Sequence, residues 1–141
     1  MFPSIRLPWF SHHQCPSPRL VRIWLILAAA GITHTLWAVS YWLADIDLTT
    51  GDGATISALN VLAATLLAGG IAWIVAALLE RFVAKARTAW TMGSCLSLGG
   101  SLIGPLSEAT TTGATIVLLA MHIAVAAILI FGFRRTLRDR R

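Results

Sequence analysis

The sequence predicts an all-α membrane protein: four transmembrane helices in an antiparallel bundle, with both termini cytoplasmic. Three observations predict it. Of 141 residues, 57% are apolar and 12% charged, with a mean hydropathy of +0.76, whereas a soluble domain carries about a quarter charged residues. Four stretches approach the ~20 predominantly apolar residues that a crossing helix needs. All eleven Lys and Arg residues lie in segments that an even number of crossings places on one side of the bilayer. Composition excludes a water-facing globular fold and disorder over most of the length. Two cysteines do not make a disulfide scaffold, and the length suits a single domain.

Residues 1–19 read as a proline-rich cytoplasmic tail. Pro3, Pro8, Pro16 and Pro18 forbid a continuous helix, Ser11, His12, His13 and Gln14 are polar, and Trp9 and Phe10 can touch the membrane surface. The first span runs from about Leu20 to Ala44. Its apolar core exceeds the 7–15 residues of a signal peptide, so it is expected to stay as a helix. Arg22, the only formal charge within the spans, is expected to snorkel to the headgroups. The second span covers Ala54 to Leu79, the third Ala89 to about Ser107, and the fourth Gly113 to Phe133. Residues 134–141 form a basic cytoplasmic tail. Gly93, Gly99, Gly100 and Gly104 dilute the third span, and Gly104-Pro105 predicts a kink or stop near its outer end.

Orientation follows from charge. Arg6, Arg19 and Arg22 lie at the amino end, Arg81, Lys85 and Arg87 between spans two and three, and Arg134, Arg135, Arg138, Arg140 and Arg141 in the tail. The other two loops carry Asp45, Asp47, Asp52 and Glu108 and no base. Cytoplasmic loops retain Lys and Arg, so a multi-pass protein of the cytoplasmic membrane is expected. Trp24 and Trp90 mark inner ends and Tyr41 and Trp42 an outer end. Trp37 and Trp73 fall deeper and are expected to pack between helices.

Small residues four apart mark expected helix contacts. Ala64, Ala68, Ala72 and Ala76 form a ridge on the second span. Gly93, Ser97 and Ser101, and then Gly100 and Gly104, form two on the third, and Ala120 and Ala124 a shorter one on the fourth. The third span is therefore expected at the centre of the bundle.

An ionisable group inside a membrane invites a functional reading. His34, Asn60 and His122 form the candidate intramembrane polar site. At ~1.5 Å per residue, the two imidazoles lie about 15 Å and 14 Å below the outer face, and Asn60 about 9 Å. Three readings are open. Each imidazole can bond a neighbouring helix through Thr33, Thr35, Ser97 or a carbonyl. The pair can line a hydrated proton path, or can ligate a metal or haem from separate helices. At the outer loop, Glu108, Thr110, Thr111 and Thr112 can contact a substrate, or the threonines can cap the fourth helix.

Other chemistry has little support. Cys15 and Cys95 lie in different compartments and cannot pair, and no CxxC is present. Ser97 or Ser101 with His122 resembles a nucleophile and base, but helical serines usually bond their own backbone. His12-His13 supply too few ligands for a metal site. No cofactor and no nucleic-acid partner is expected. Arg81, Lys85, Arg87, Arg134 and Arg135 suit anionic lipid headgroups.

Leu79-Glu80-Arg81, Ala84-Lys85-Ala86-Arg87 and Trp90-Thr91 resemble the middle loop of a small actinobacterial family of four-helix integral membrane proteins of unknown function. Gly104-Pro105-Leu106-Ser107, Thr110 to Thr112 and Leu119-Ala120-Met121-His122 are similar to it too. The resemblance covers roughly spans two to four and excludes the tail. It implies four spans and an actinobacterial cytoplasmic membrane, singles out Glu80, Pro105, the threonine run and His122 for mutation, and brings no activity. A non-enzymatic scaffold or accessory subunit is expected, associating with another membrane protein or with its own copy. The alternatives are a small proton-linked transporter using His34, His122, Asn60 and Glu108, and a haem or metal redox protein.

Overall fold

The computed structural model describes residues 17–140 apart from Asp45, Asp47 and Asp52. The readings made of Trp9, Phe10, the His12-His13 pair, Cys15 and the three loop aspartates lie outside the described residues. Five helices follow one another: α1 (Pro18–Trp42), α2 (Ala58–Phe82), α3 (Ala86–Ser101), α4 (Ile103–Glu108) and α5 (Thr112–Thr136). Among the described residues there is no strand, only isolated bridges from Thr49 to Thr55 and from Thr50 to Ala109. Three helices, α1, α2 and α5, are long and apolar enough to cross a membrane.

Helix starts follow from capping chemistry. Ser17 accepts from the Leu20 amide and Pro18 occupies the first turn, where its missing N–H costs nothing. Ser57 caps α2 through the Asn60 amide, so the helix begins at Ala58, four residues after the span start read from the sequence. Thr111 caps α5 through the Ala114 amide at 3.1 Å, the capping role expected of the threonine run. The third span is divided. Pro105 has no N–H to offer the Ser101 carbonyl, and the helix breaks at Leu102, between α3 and α4.

The expected centre of the bundle is corrected. α1, not α3, is the central helix, packed between α2 and α5, while α3 lies mainly along α5. The glycines show why. A Cβ on Gly69 would stand 2.7 Å from Ile26 and one on Gly132 2.6 Å from Leu25, whereas Gly93, Gly99, Gly100 and Gly104 have nothing within 4 Å. Close backbone approach therefore occurs at Gly69 and Gly132, on either side of α1, and the small residues of α3 are not a contact stripe within this chain. Ala76 is buried, but Ala64, Ala68 and Ala120 are exposed.

The contacts Arg22–Thr136, Leu25–Gly132 and Ile46–Gly113 run in opposite directions along α1 and α5, so these helices are antiparallel. Thr33–Thr65 and Arg22–Glu80 set α1 against α2 likewise. Two apolar clusters result. One joins Ala76, Trp90, Leu129, Phe133 and Leu137 at the end rich in basic residues. The other joins Leu48, Val61, Ala114, Leu118 and Met121 at the opposite end, beneath the loop that links α1 to α2.

Aromatic placement divides the expected belt. Trp24 and Trp42 are 69% and 74% exposed, as interfacial anchors are. Trp90 is buried instead, donating to the Ile130 carbonyl at 3.2 Å and stacking on Phe133 at 5.4 Å. Trp37 donates to the Ile56 carbonyl at 2.9 Å and tethers the loop before α2. Trp73 is half-buried against the cluster around Phe133.

Candidate functional site

Because α1 packs between α2 and α5, and α3 lies mainly along α5 and meets α2 less closely, α2 and α3 leave a gap. A half-enclosed groove of about 840 Å³ fills it. It runs from Ile56 and Asn60 at one end to Leu79, Ala89 and Trp90 at the other, nearly the length of α2. Ala64, Ala68 and Ala72 line its α2 wall, Gly93, Ser97 and Ser101 its α3 wall, and His122 on α5 its floor. Two of the stripes that read as helix-contact surfaces, that of α2 up to Ala72 and that of Gly93, Ser97 and Ser101, thus face a space with no helix in it.

The groove is largely apolar because most of its hydroxyls are engaged locally. Thr33 and Thr65 stand 3.1 Å apart, and Thr65 donates to the Val61 carbonyl at 2.8 Å. Ser101 donates to the Leu98 carbonyl of its own helix. His122 Nδ1 is 2.7 Å from the Leu118 carbonyl. A carbonyl only accepts, so that nitrogen carries the proton, and in the neutral ring Nε2 is left as an acceptor. No buried side-chain nitrogen or oxygen among the described residues lacks a partner.

The candidate polar residues separate. The register of α1 on α5 sets His34 and His122 at similar levels, but His122 lines the groove and His34 does not. His34 is exposed on α1 and stacks on Trp37 with centroids 6.0 Å apart. Axial ligation or a proton relay by the pair within one chain has no support from this placement. Asn60 is exposed at the groove mouth. Glu108 lies at the end of α4, and its carbonyl accepts from the Gly51 amide at 2.9 Å. Thr110 meets the Thr49 hydroxyl at 2.7 Å, and Thr112 begins α5. The bonds of Glu108 and Thr110 stitch two loops together. Among the described residues no three His, Cys, Asp or Glu converge as a metal site.

At the basic end the structure overturns the snorkelling expected of Arg22. The residue is 4% exposed. Its Nη2 donates to Glu80 Oε1 at 2.9 Å, its Nε to Thr136 Oγ1 at 2.9 Å, and its guanidinium lies 5.6 Å from the centre of the Phe133 ring. One side chain therefore binds α1, α2 and α5 together. Glu80 lies one residue past the expected end of the second span at Leu79, within α2, which continues to Phe82. Opposite charges at corresponding depths of adjacent antiparallel helices were the available signal.

The carboxyl end is also tied down. α5 continues through Arg134 and Arg135 to Thr136, and Leu137 is fully buried. Arg87 Nε donates to the Leu137 carbonyl at 2.8 Å, and the Arg87 amide donates to Asp139 Oδ1 at 3.0 Å. Asp139 thus serves α3 as a cap from across the chain, where Lys85 offers no side-chain cap. Arg140 donates to the carbonyls of Ala84 and Arg81. Of the basic residues expected to meet lipid, Arg81, Lys85, Arg134 and Arg135 are exposed, and Arg87 is exposed but anchored.

A family model described as Family of unknown function (DUF6069) matches residues 13–139. The chain belongs to DUF6069. The match extends beyond the spans that carried the resemblance, taking in α1 and the docked segment after α5, both features of this DUF6069 chain's architecture. No curated protein and no solved structure matches it.

Proposed function

We propose that this DUF6069 chain is a non-enzymatic accessory subunit of the cytoplasmic membrane, crossing it four times with both termini inside. Supporting the fourth crossing, α3 with 16 residues and α4 with six join through Leu102 and run about 35 Å at ~1.5 Å per residue. They lie along α5, from Trp90 against Ile130 to the turn before Thr111. The charges support the orientation, since the loop after α2 and the segment after α5 carry the bases.

The observation that carries the role is the groove between α2 and α3. Its walls present Ala64, Ala68 and Ala72 opposite Gly93, Ser97 and Ser101, the small residues through which membrane helices approach each other. Its length matches a span. A full helix of ~10 Å diameter and ~30 Å length occupies roughly 2,400 Å³, so a groove of 840 Å³ receives one face of a helix rather than swallowing it. A transmembrane helix of another membrane protein is the occupant that fits.

A photo-crosslinking residue at position 97 tests this in native membranes. One discrete membrane-protein adduct is expected, lost when Ala68→Phe and Gly93→Leu fill the groove and retained when the exposed Leu27 is changed to Phe. Adducts with lipid alone, with a second copy, or insensitive to groove filling contradict the reading.

One observation favours a second reading, a small proton-linked transporter. His122 is the single titratable side chain among the groove-lining residues, and Asn60 stands at the mouth. Proton-coupled flux in liposomes that disappears in His122→Ala favours transport over the accessory role.

A further inference from the structure

We propose that the basic end of the molecule carries a specific site for a phosphate-bearing anion, occupied in the membrane by an anionic phospholipid headgroup. A shallow, open surface depression lies between the start of α3 and the end of α5, lined by Arg87, Arg134, Arg135 and Phe131. It is distinct from the groove and does not depend on the accessory role.

Three observations carry this site. First, cations outnumber acids here. Arg22 occupies Glu80, and Asp139, whose Oδ1 accepts the Arg87 amide, leaves one negative charge beside Arg87, Arg134 and Arg135. Arg134 and Arg135 have no hydrogen bond or ion pair among the described residues. Second, Arg87 is positioned in advance. Its Nε is held by the Leu137 carbonyl and its amide by Asp139, and neither bond uses the terminal nitrogens of the guanidinium. An anchored guanidinium loses less freedom on binding an anion, and its planar fork suits phosphate oxygens. Third, the hollow joins charge to grease. Phe131, 63% exposed, lies one helical turn deeper along α5 than Arg134, where the acyl chains of a bound lipid would begin. Basic pockets between membrane helices on the cytoplasmic side bind polyanionic headgroups on these terms.

Native mass spectrometry of the full chain in mild detergent tests the proposal, with cardiolipin, phosphatidylcholine and inorganic phosphate as probes. Cardiolipin is expected to bind far more tightly than phosphatidylcholine. Replacing both arginines, Arg134→Gln with Arg135→Gln, removes roughly two surface charges and is expected to weaken cardiolipin binding about 30-fold. Both side chains are exposed, so the variant should retain the parent melting temperature. Arg138→Gln, outside the hollow, is expected to leave binding within a few-fold of the parent. Equal loss in Arg138→Gln, or no loss in the double variant, overturns the specific site. Displacement of cardiolipin by millimolar inorganic phosphate overturns the lipid assignment in favour of free phosphate, and its failure to displace supports the lipid.

Discussion

Arg22 and Glu80 meet at 2.9 Å although 58 residues separate them in sequence. The guanidinium is buried, donates from Nε to Thr136 and lies over the face of Phe133. A charge withdrawn from both water and headgroups is costly unless paired and hydrogen-bonded. Here the pairing is made by three helices at once, so the ionic contact also fixes how α2 and α5 sit on α1.

Removing one partner should therefore cost more than removing both. Glu80→Ala leaves Arg22 buried and uncompensated, with an expected loss of about 3 kcal/mol, whereas Arg22→Met with Glu80→Leu should lie within about 1 kcal/mol of the parent. Reversible unfolding in mixed micelles reads both. Equal losses in the two variants would mean that the pair contributes nothing beyond packing.

The two glycines against α1 should behave unlike those of α3. Gly69→Ala drives a Cβ into Ile26, and overpacking of this kind costs about 1–3 kcal/mol. Gly99→Ala and Gly100→Ala meet open space and should be neutral or stabilising by up to about 1 kcal/mol, since alanine favours the helix. Ile26→Ala introduced alongside Gly69→Ala should recover part of the loss. Thermal melts of the four variants in one detergent decide the order.

Trp90 offers a graded probe of the α3–α5 contact. Trp90→Phe keeps a ring against Phe133 but removes the donor to Ile130, for an expected loss of about 1 kcal/mol. Trp90→Ala removes the ring as well and should cost about 3–5 kcal/mol. Similar unfolding midpoints for the two variants would show that the stacked ring contributes little.

The segment after α5 should be protected rather than free. Asp139→Ala removes the acceptor for the Arg87 amide, so hydrogen exchange at the first turn of α3 should accelerate while α1 and α2 exchange as before. Unchanged exchange at Arg87 would mean that Asp139 does not cap α3.

Some of this architecture was readable from residue order. Long apolar runs specify α1, α2 and α5, and Thr111 caps the helix that its position announces. Pro105 implies a break, which falls at Leu102, one turn upstream, where its missing N–H acts. What one sequence could not reveal is which faces meet. Small-residue spacing marks a smooth helix face but not whether a helix lies against it. Gly69 and Gly132, outside any pair singled out, make the close contacts, while the glycines of α3 make none. His34 and His122 share a level yet face different surroundings, because depth follows from residue counting and azimuth does not. Arg22 has two physically sound destinations, headgroup or carboxylate, and only the approach of α2 selects the second.

The most direct measurement concerns α3 and α4, whose proposed crossing would make the groove a membrane-embedded surface. Single cysteines at positions 88 and 107, both exposed and placed in a Cys15→Ser, Cys95→Ser background, can be labelled in intact cells with a charged, impermeant maleimide. Position 107 should react from outside and position 88 only after the membrane is opened. Labelling of both from the same side would contradict a fourth crossing and remove the groove from the bilayer.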